Sequence, residues 1–284
     1  VRHAPVFVPA MEEVRAAHAY GELVEAVRAR RCILFAGAGL SMAVGLPSWS
    51  QLIEHMRREL DLAEDVTDAG YQTLAEYYRL EKGSIGALRS WMDRSWSVSE
   101  AKVAKSRIHQ LIVQLDFPIL YTTNYDNNLE VAYRLAERGF AKIVNARDLT
   151  RAEDGCTQIV KFHGDFEEDS SLVLAETDYF DRLNFESPLD VKFRADALGR
   201  TVLFIGYSMS DMNIRLLLHK LWRTWADSGR MKDRPASFVF AARPDPVRDA
   251  VLGQWGITVL SNGERDPQRA LVRFLDQLAA DVTS

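Results

Sequence analysis

The chain has 284 residues, 47% hydrophobic and 26% charged, the balance of an ordinary globular protein long enough for one large α/β domain or two small ones. A net charge of −5 argues against a direct grip on nucleic acid, which normally needs a basic patch. Two cysteines, Cys32 and Cys156, cannot build a four-cysteine zinc site, and such sparse usage suits a reducing cytoplasm. No charged and then apolar leader opens the chain, and runs such as "TVLFIG" are too short to span a bilayer, so neither secretion nor a membrane is expected.

Residues 1–31 read as an N-terminal helical segment, with a helix from Glu12 to Arg31 whose approximate apolar stripe is Val14, Ala17, Leu23, Ala26 and Val27. Strand-like stretches follow at 32–36, 117–121, 141–144, 157–161, 201–205, 236–241 and 257–260. Most alternate with helical patterns, which predicts a parallel sheet covered on both faces. Residues 61–116 hold only helical patterns and read as a module inserted into a sheet domain of 32–60 and 117–284. Within it, Ser99 to Leu115 reads as one helix with Ala104, Ile108, Leu111, Ile112 and Leu115 on one face. Asp211 to Ala226 is the clearest helix, with Ile214, Leu217, Leu218, Leu221, Trp222 and Trp225 along one side.

Four polar motifs fall where strands end. "FAGAGLSMAVGLPSW" sets Gly37, Ala38, Gly39 and Ser41 between a strand and a helix, where small residues let backbone amides approach an anion. Met42 stands where the third glycine of a dinucleotide fingerprint belongs, so that turn alone is a weak signal. "ILYTTNYDNNLE" carries Thr122, Thr123, Asn124 and Asp126; "IVKFHGDF" carries His163, Gly164 and Asp165; "VLFIGYSMSDMNIR" carries Gly206, Ser208, Asp211 and Asn213. Each has a plainer reading: Asn124, Ser208 and Asp211 as helix caps, Asp126 in a first turn, Gly206 as a strand end. In an open parallel sheet all four would share the carboxyl edge, where ligands bind.

Taken in this order, the motifs resemble those of the sirtuins: G-A-G-x-S as Gly37–Ser41, T-x-N-x-D as Thr122-Thr123-Asn124-Tyr125-Asp126, the His163-Gly164 pair, and a later G-x-S as Gly206-Tyr207-Ser208. The resemblance runs over roughly Arg31 to Leu260 and implies a Rossmann-like α/β domain that binds NAD⁺ and breaks its nicotinamide–ribose bond. Sirtuin deacylases carry a four-cysteine zinc ribbon after the His-Gly pair, but no cysteine lies between His163 and Thr177. Their P-D-F-R segment is Pro47-Ser48-Trp49-Ser50 here. The chain is therefore more similar to the sirtuin-like NADase branch of bacterial antiphage effectors, which lacks the ribbon and often spells T-T-N-Y-D and G-Y-S.

In that chemistry nicotinamide is already a cationic leaving group, so no general acid is required, and the transition state resembles an oxocarbenium ion. His163, titrating near neutrality, is the natural base. Asn124, uncharged, would hold the ribose or an attacking water. Asp126 would meet the nicotinamide amide or fix its loop. Gly37, Ala38, Gly39 and Ser41 would cradle the pyrophosphate, Ser208 and Asp211 would face the adenosine, and Pro47, Trp49, Thr123 and Gly206 would complete the pocket. Trp49 also reads as a staple at a helix start, Trp222 and Trp225 as core, and His109 and His219 as solvent-facing or boundary residues. His3 and His55 have no chemical neighbours in sequence. NAD⁺ is the expected substrate and no metal is expected. Two other functions remain open: a protein deacylase or ADP-ribosyltransferase, and a non-catalytic NAD⁺ or ADP-ribose sensor. The sheet and insert leave little chain for a sensor, so control is expected from self-association. The resemblance adds a HerA-type hexameric ATPase or, second, a short Argonaute as partner.

Overall fold

The computed structural model describes residues 9–284 apart from 47, 48, 64–68, 154, 185 and 208–211. Helix α1 (Pro9–Arg28) leads into β1 (Cys32–Ala36), the short α2 (Gly39–Ala43) and α3 (Trp49–Glu59). Then come α4 (Tyr71–Lys82), α5 (Gly86–Ser95), α6 (Glu100–Lys105) and α7 (Arg107–Gln114). Strands and helices alternate from there: β2 (Ile119–Thr122), α8 (Asn128–Leu135), β3 (Phe140–Ile143), α9 (Ala146–Leu149), β4 (Thr157–Lys161), α10 (Glu176–Asp181) and α11 (Pro188–Leu198). The rest is β5 (Thr201–Ile205), α12 (Met212–Asp227), β6 (Ser237–Phe240), α13 (Pro246–Gln254), β7 (Ile257–Leu260) and α14 (Pro267–Thr283).

The strands form one seven-stranded sheet in the order β3-β4-β2-β1-β5-β6-β7. Every pairing is parallel, so all strand-end loops named above leave the same edge. The chain runs outward from β1 to β2 and later returns to β5 on its other side. The β1/β5 boundary is therefore the topological switch point at which α/β proteins open a crevice.

β1 and β5 are buried along their whole length because both faces of the sheet are covered. Leu34 and Ala36 point to one core with α7, α8 and α14, while Ile33 and Phe35 point to the other with α11 and α12. The second core centres on Phe35, whose ring meets those of Tyr121 at 5.7 Å, Phe193 at 5.2 Å and Phe204 at 5.1 Å.

A third cluster stands apart. Leu52 and Met56 of α3, Leu74 and Tyr78 of α4, and Leu88 and Met92 of α5 pack with Leu172, Leu174 and Ala175, which follow β4. By contrast, Ile108, Leu111 and Ile112 of α7 belong to the sheet's first core. Packing thus groups α3 with α4 and α5, and α7 with the sheet layer.

Several details differ from the sequence reading. The helix expected over Ser99–Leu115 is two, because Ser106 is extended (φ −76, ψ 108) and serves as N-cap of the second. The break shifts the helical phase, so Val103 is buried and Ala104 exposed. It also turns His109 inward to 1% exposure, with Nδ1 2.8 Å from Ser106 Oγ, rather than toward solvent. Ala17 is exposed, and from there along α1 the first buried residue is Leu23; Val14 lies outside the residues whose side chains are described. Trp222 and Trp225 are half-buried rather than core: only the first turns of α12 reach beneath the sheet, at Ile214, Leu217 and Leu218. Among the described residues, no helix is long and apolar enough to cross a membrane.

Candidate active site

Two loops are pressed together at the switch point. The amide of Gly37 donates to Ile205 O and that of Gly39 to Gly206 O, each at 2.9 Å. A Cβ on Gly39 would sit 2.7 Å from Gly206 Cα, so glycine is required here by loop-to-loop contact. Gly39 spends its amide on protein, and Leu40 N donates to Gly37 O at 3.1 Å. Among the described residues no backbone carbonyl accepts from Ala38 N or Ser41 N, which leaves both amides of the turn able to donate elsewhere.

The loop after β2 is locked onto this turn. Thr122 Oγ1 donates to Ala36 O (2.9 Å) and accepts from Asn124 N (3.0 Å), tying the two strand ends together. Asn124 Nδ2 donates to Gly37 O at 3.0 Å and to Ser41 Oγ at 2.8 Å. Ser41 Oγ in turn donates to Asp126 Oδ2 at 2.5 Å. Both N–H bonds of the Asn124 amide are thereby used, and its orientation is set. Its Oδ1 is the atom left to accept from a water or a ribose hydroxyl. Asp126 also accepts from Asn128 N at 3.1 Å, a hydrogen bond within its own loop. Ser41 is buried at 7% exposure, its hydroxyl engaged in this network. Thr123 Oγ1 and Tyr207 OH are 2.6 Å apart and link the β2 and β5 loops.

His163 sits where β4 ends, 3% exposed. Its ring stands edge-on to Tyr179 at 5.5 Å and lies near Phe162 at 6.1 Å. Burial, and secondarily the Arg182 guanidinium, hold its pKa well below the ordinary 6.5, so at neutral pH it is uncharged. Arg182 is itself fixed by Asp190 and Phe162 O and lies 4.1 Å over the Phe162 ring. Gly164 follows with φ +82, which lets the chain turn back so that Val173 N donates to His163 O at 3.0 Å.

Trp49 opens α3 and stacks on Tyr71 at 4.2 Å, edge-on to Trp96 at 5.5 Å. Tyr71 OH is 2.9 Å from Tyr179 OH, so an aromatic wall runs from the helical cluster to His163. Pro47, Ser208 and Asp211 lie outside the described residues, as does His3. His55 stacks on Trp91 at 3.9 Å, and His219 meets Trp222 and Trp255 at the boundary of α12. Sequence reasoning missed Lys161, fully buried one residue from Phe162, although a lysine inside the run "IVKFHG" was a legible anomaly. It also missed Arg182 and Tyr179, which reach His163 only through the fold. No group of three or more His, Cys, Asp or Glu among the described residues is arranged to hold a metal ion.

A seven-stranded parallel sheet with helices on both faces defines a Rossmann-like α/β fold. The chain belongs to the SIR2-like domain family, whose model matches residues 118–260. It is 31% identical over 198 residues to the NAD(+) hydrolase ThsA of Enterococcus faecium, covering 68% of this chain and 40% of that protein. Against ThsA of Bacillus cereus (strain MSX-D12) the figures are 30% over 203 residues, 70% and 42%. Defense-associated sirtuin 2 of Bacillus subtilis is 26% identical over 243 residues, covering 81% of this chain and 23% of that protein. The chain thus spans about two fifths of the length of the ThsA relatives, 40% and 42%. The crystal structure of a Sir2 homologue–NAD complex superposes with a TM-score of 0.51 at 13% identity, over 93% of both chains, a likeness of fold alone.

Proposed function

We propose that this chain is an NAD⁺ glycohydrolase that releases nicotinamide and ADP-ribose and acts in the cytoplasm as an antiphage effector by depleting NAD⁺. One observation carries the reading: Asn124, with both amide N–H bonds tied inward, and the uncharged His163 stand at the ends of neighbouring strands beside the switch point. The relatives named NAD(+) hydrolase support it from sequence. Two free thiols, Cys32 and Cys156, suit a reducing compartment.

Cleavage of the glycosidic bond returns an electron pair to the cationic pyridinium, so nicotinamide departs neutral and needs neither acid nor Lewis acid. Positive charge develops on the ribose. The Asn124 Oδ1 dipole can hold the attacking water without a formal charge that would trap the cation, because its orientation is fixed in advance. Neutral His163 accepts the proton that the water or a ribose hydroxyl gives up. The Ala38 and Ser41 amides are the donors the turn offers to the pyrophosphate. Control of the activity belongs to the same proposal: self-association, with a HerA-type ATPase or a short Argonaute as companion, the acidic chain leaving nucleic-acid contact to that partner.

Incubation of the purified protein with NAD⁺, following nicotinamide and ADP-ribose together, tests the reading. Equal release of both supports it. Saturable NAD⁺ binding without release would make the chain a sensor, and release that depends on an acylated lysine peptide would make it a deacylase.

A further inference from the structure

Beneath the loop that carries Asn124 lies an ion pair that the chemistry above does not use. Lys161, the last residue of β4, is 0% exposed, and its ammonium donates to the backbone carbonyl of Asp126. Its Nζ is 3.3 Å from Oε1 of Glu130, which is 7% exposed on the first turn of α8. No other ion pair to Glu130 is formed among the described residues, and neither of its oxygens accepts a hydrogen bond there. A lysine in a central parallel strand is costly to bury, and leucine or valine would serve the sheet better. Such a pair is weak grounds for stability, since apolar replacements of similar volume are often neutral or stabilising.

The place where the ammonium lands is informative. Asp126 O belongs to the residue whose carboxylate holds Ser41, and Ser41 accepts from Asn124 Nδ2. The backbone of Asp126 is thus gripped from below by Lys161 while its side chain aligns the amide above. Glu130, one turn into the helix that follows the loop, holds the ammonium in reach of that carbonyl.

We propose that Lys161, held by Glu130, is a positioning residue: it pins the 122–128 loop through the Asp126 carbonyl and so sets the orientation of the Asn124 amide for NAD⁺ cleavage. The inference deepens the NAD⁺ glycohydrolase reading and rests on it for its catalytic consequence. The pinning itself does not depend on that reading.

Lys161→Met alone leaves Glu130 buried without its cation and threatens folding, so the test is the double variant Lys161→Met/Glu130→Met, which removes both charges at similar volume. Two readouts are taken: steady-state NAD⁺ cleavage, and amide deuterium exchange resolved along the full chain. The expected result is a melting temperature near that of the wild type, with faster exchange confined to about residues 122–128. With it, kcat falls on the order of 10²-fold, the cost of a misplaced catalytic group, while KM moves much less. Wild-type turnover in the double variant overturns the proposal. So does faster exchange spread over the whole sheet, which would make the pair merely structural, or unchanged exchange in the loop. If the wild-type protein releases no nicotinamide, the proposed function falls, and loop exchange alone then decides whether Lys161 pins the loop.

Discussion

Asn124 shows how a common residue becomes a specific one. Free in a loop, its amide would rotate; here Gly37 O and Ser41 Oγ take both N–H bonds, leaving one oxygen in one direction. Asn124→Ala and His163→Gln are each expected to cut NAD⁺ cleavage by about 10²–10⁴-fold, measured as nicotinamide release from purified variants with unchanged circular dichroism. Glutamine is preferred at 163 because a site with 3% exposure would keep a cavity on truncation to alanine. The pH dependence carries a sign. Burial, then Arg182, lowers the His163 pKa well below 6.5, so the base form persists as pH falls through 6.5 and is lost only at more acid values. The rate is therefore expected to hold from pH 8 to 6. A rate halved at 6.5 or above would contradict the assignment. The residue types of this site were legible because loops at strand ends carry polar chemistry. Their partners were not, since Ser41 and Asp126 meet across 85 positions of sequence.

At the scale of elements, the strands were easy to read and the helical breaks were not. Fully buried pentads such as Cys32–Ala36 and Thr201–Ile205 appear as strands because both sheet faces are covered. The interruption at Ser106 carries no proline or glycine, and the register of α7 is decided by its packing on α14. Gly164 tests the element that presents His163. Its φ is +82, and a Cβ would fall 2.2 Å from Ser171 O. Gly164→Ala is expected to cost at least about 1–2 kcal/mol from the backbone conformation alone. That lowers the melting temperature by several degrees, and activity falls with it as the β4 loop shifts. An unchanged melting curve would show that the turn relaxes freely.

For the molecule as a whole, buried histidine is an acid liability. His109 is pushed down to about 4 by burial, against about 6.5 in an unfolded chain. A lowered folded value means stability present above pH 6.5 and lost as pH falls toward 4, amounting to about 3 kcal/mol in full. Urea unfolding at pH 7 and pH 5 is expected to show this loss, and His109→Gln, which cannot titrate, to reduce it. His163 contributes with the same sign, so the variant flattens the dependence without abolishing it. Zinc chelation is expected to leave NAD⁺ cleavage intact, and a chelator-sensitive rate would refute that expectation. If assembly controls the enzyme, specific activity rises with protein concentration alongside the mass seen by light scattering; a fully active monomer would remove assembly from the account.

The sequence by itself determined the parallel α/β architecture, the four motifs and their common edge. Those follow from local chemistry: apolar runs bury, glycines turn, and polar residues collect where strands stop. Only the tertiary structure decided that Gly39 spends its amide on Gly206, that His109 faces inward, and that Lys161 reaches under the Asn124 loop. Each of these depends on which segments meet in space. A hydrogen bond or a buried charge is settled by the partner it finds there, and that partner lies far along the chain.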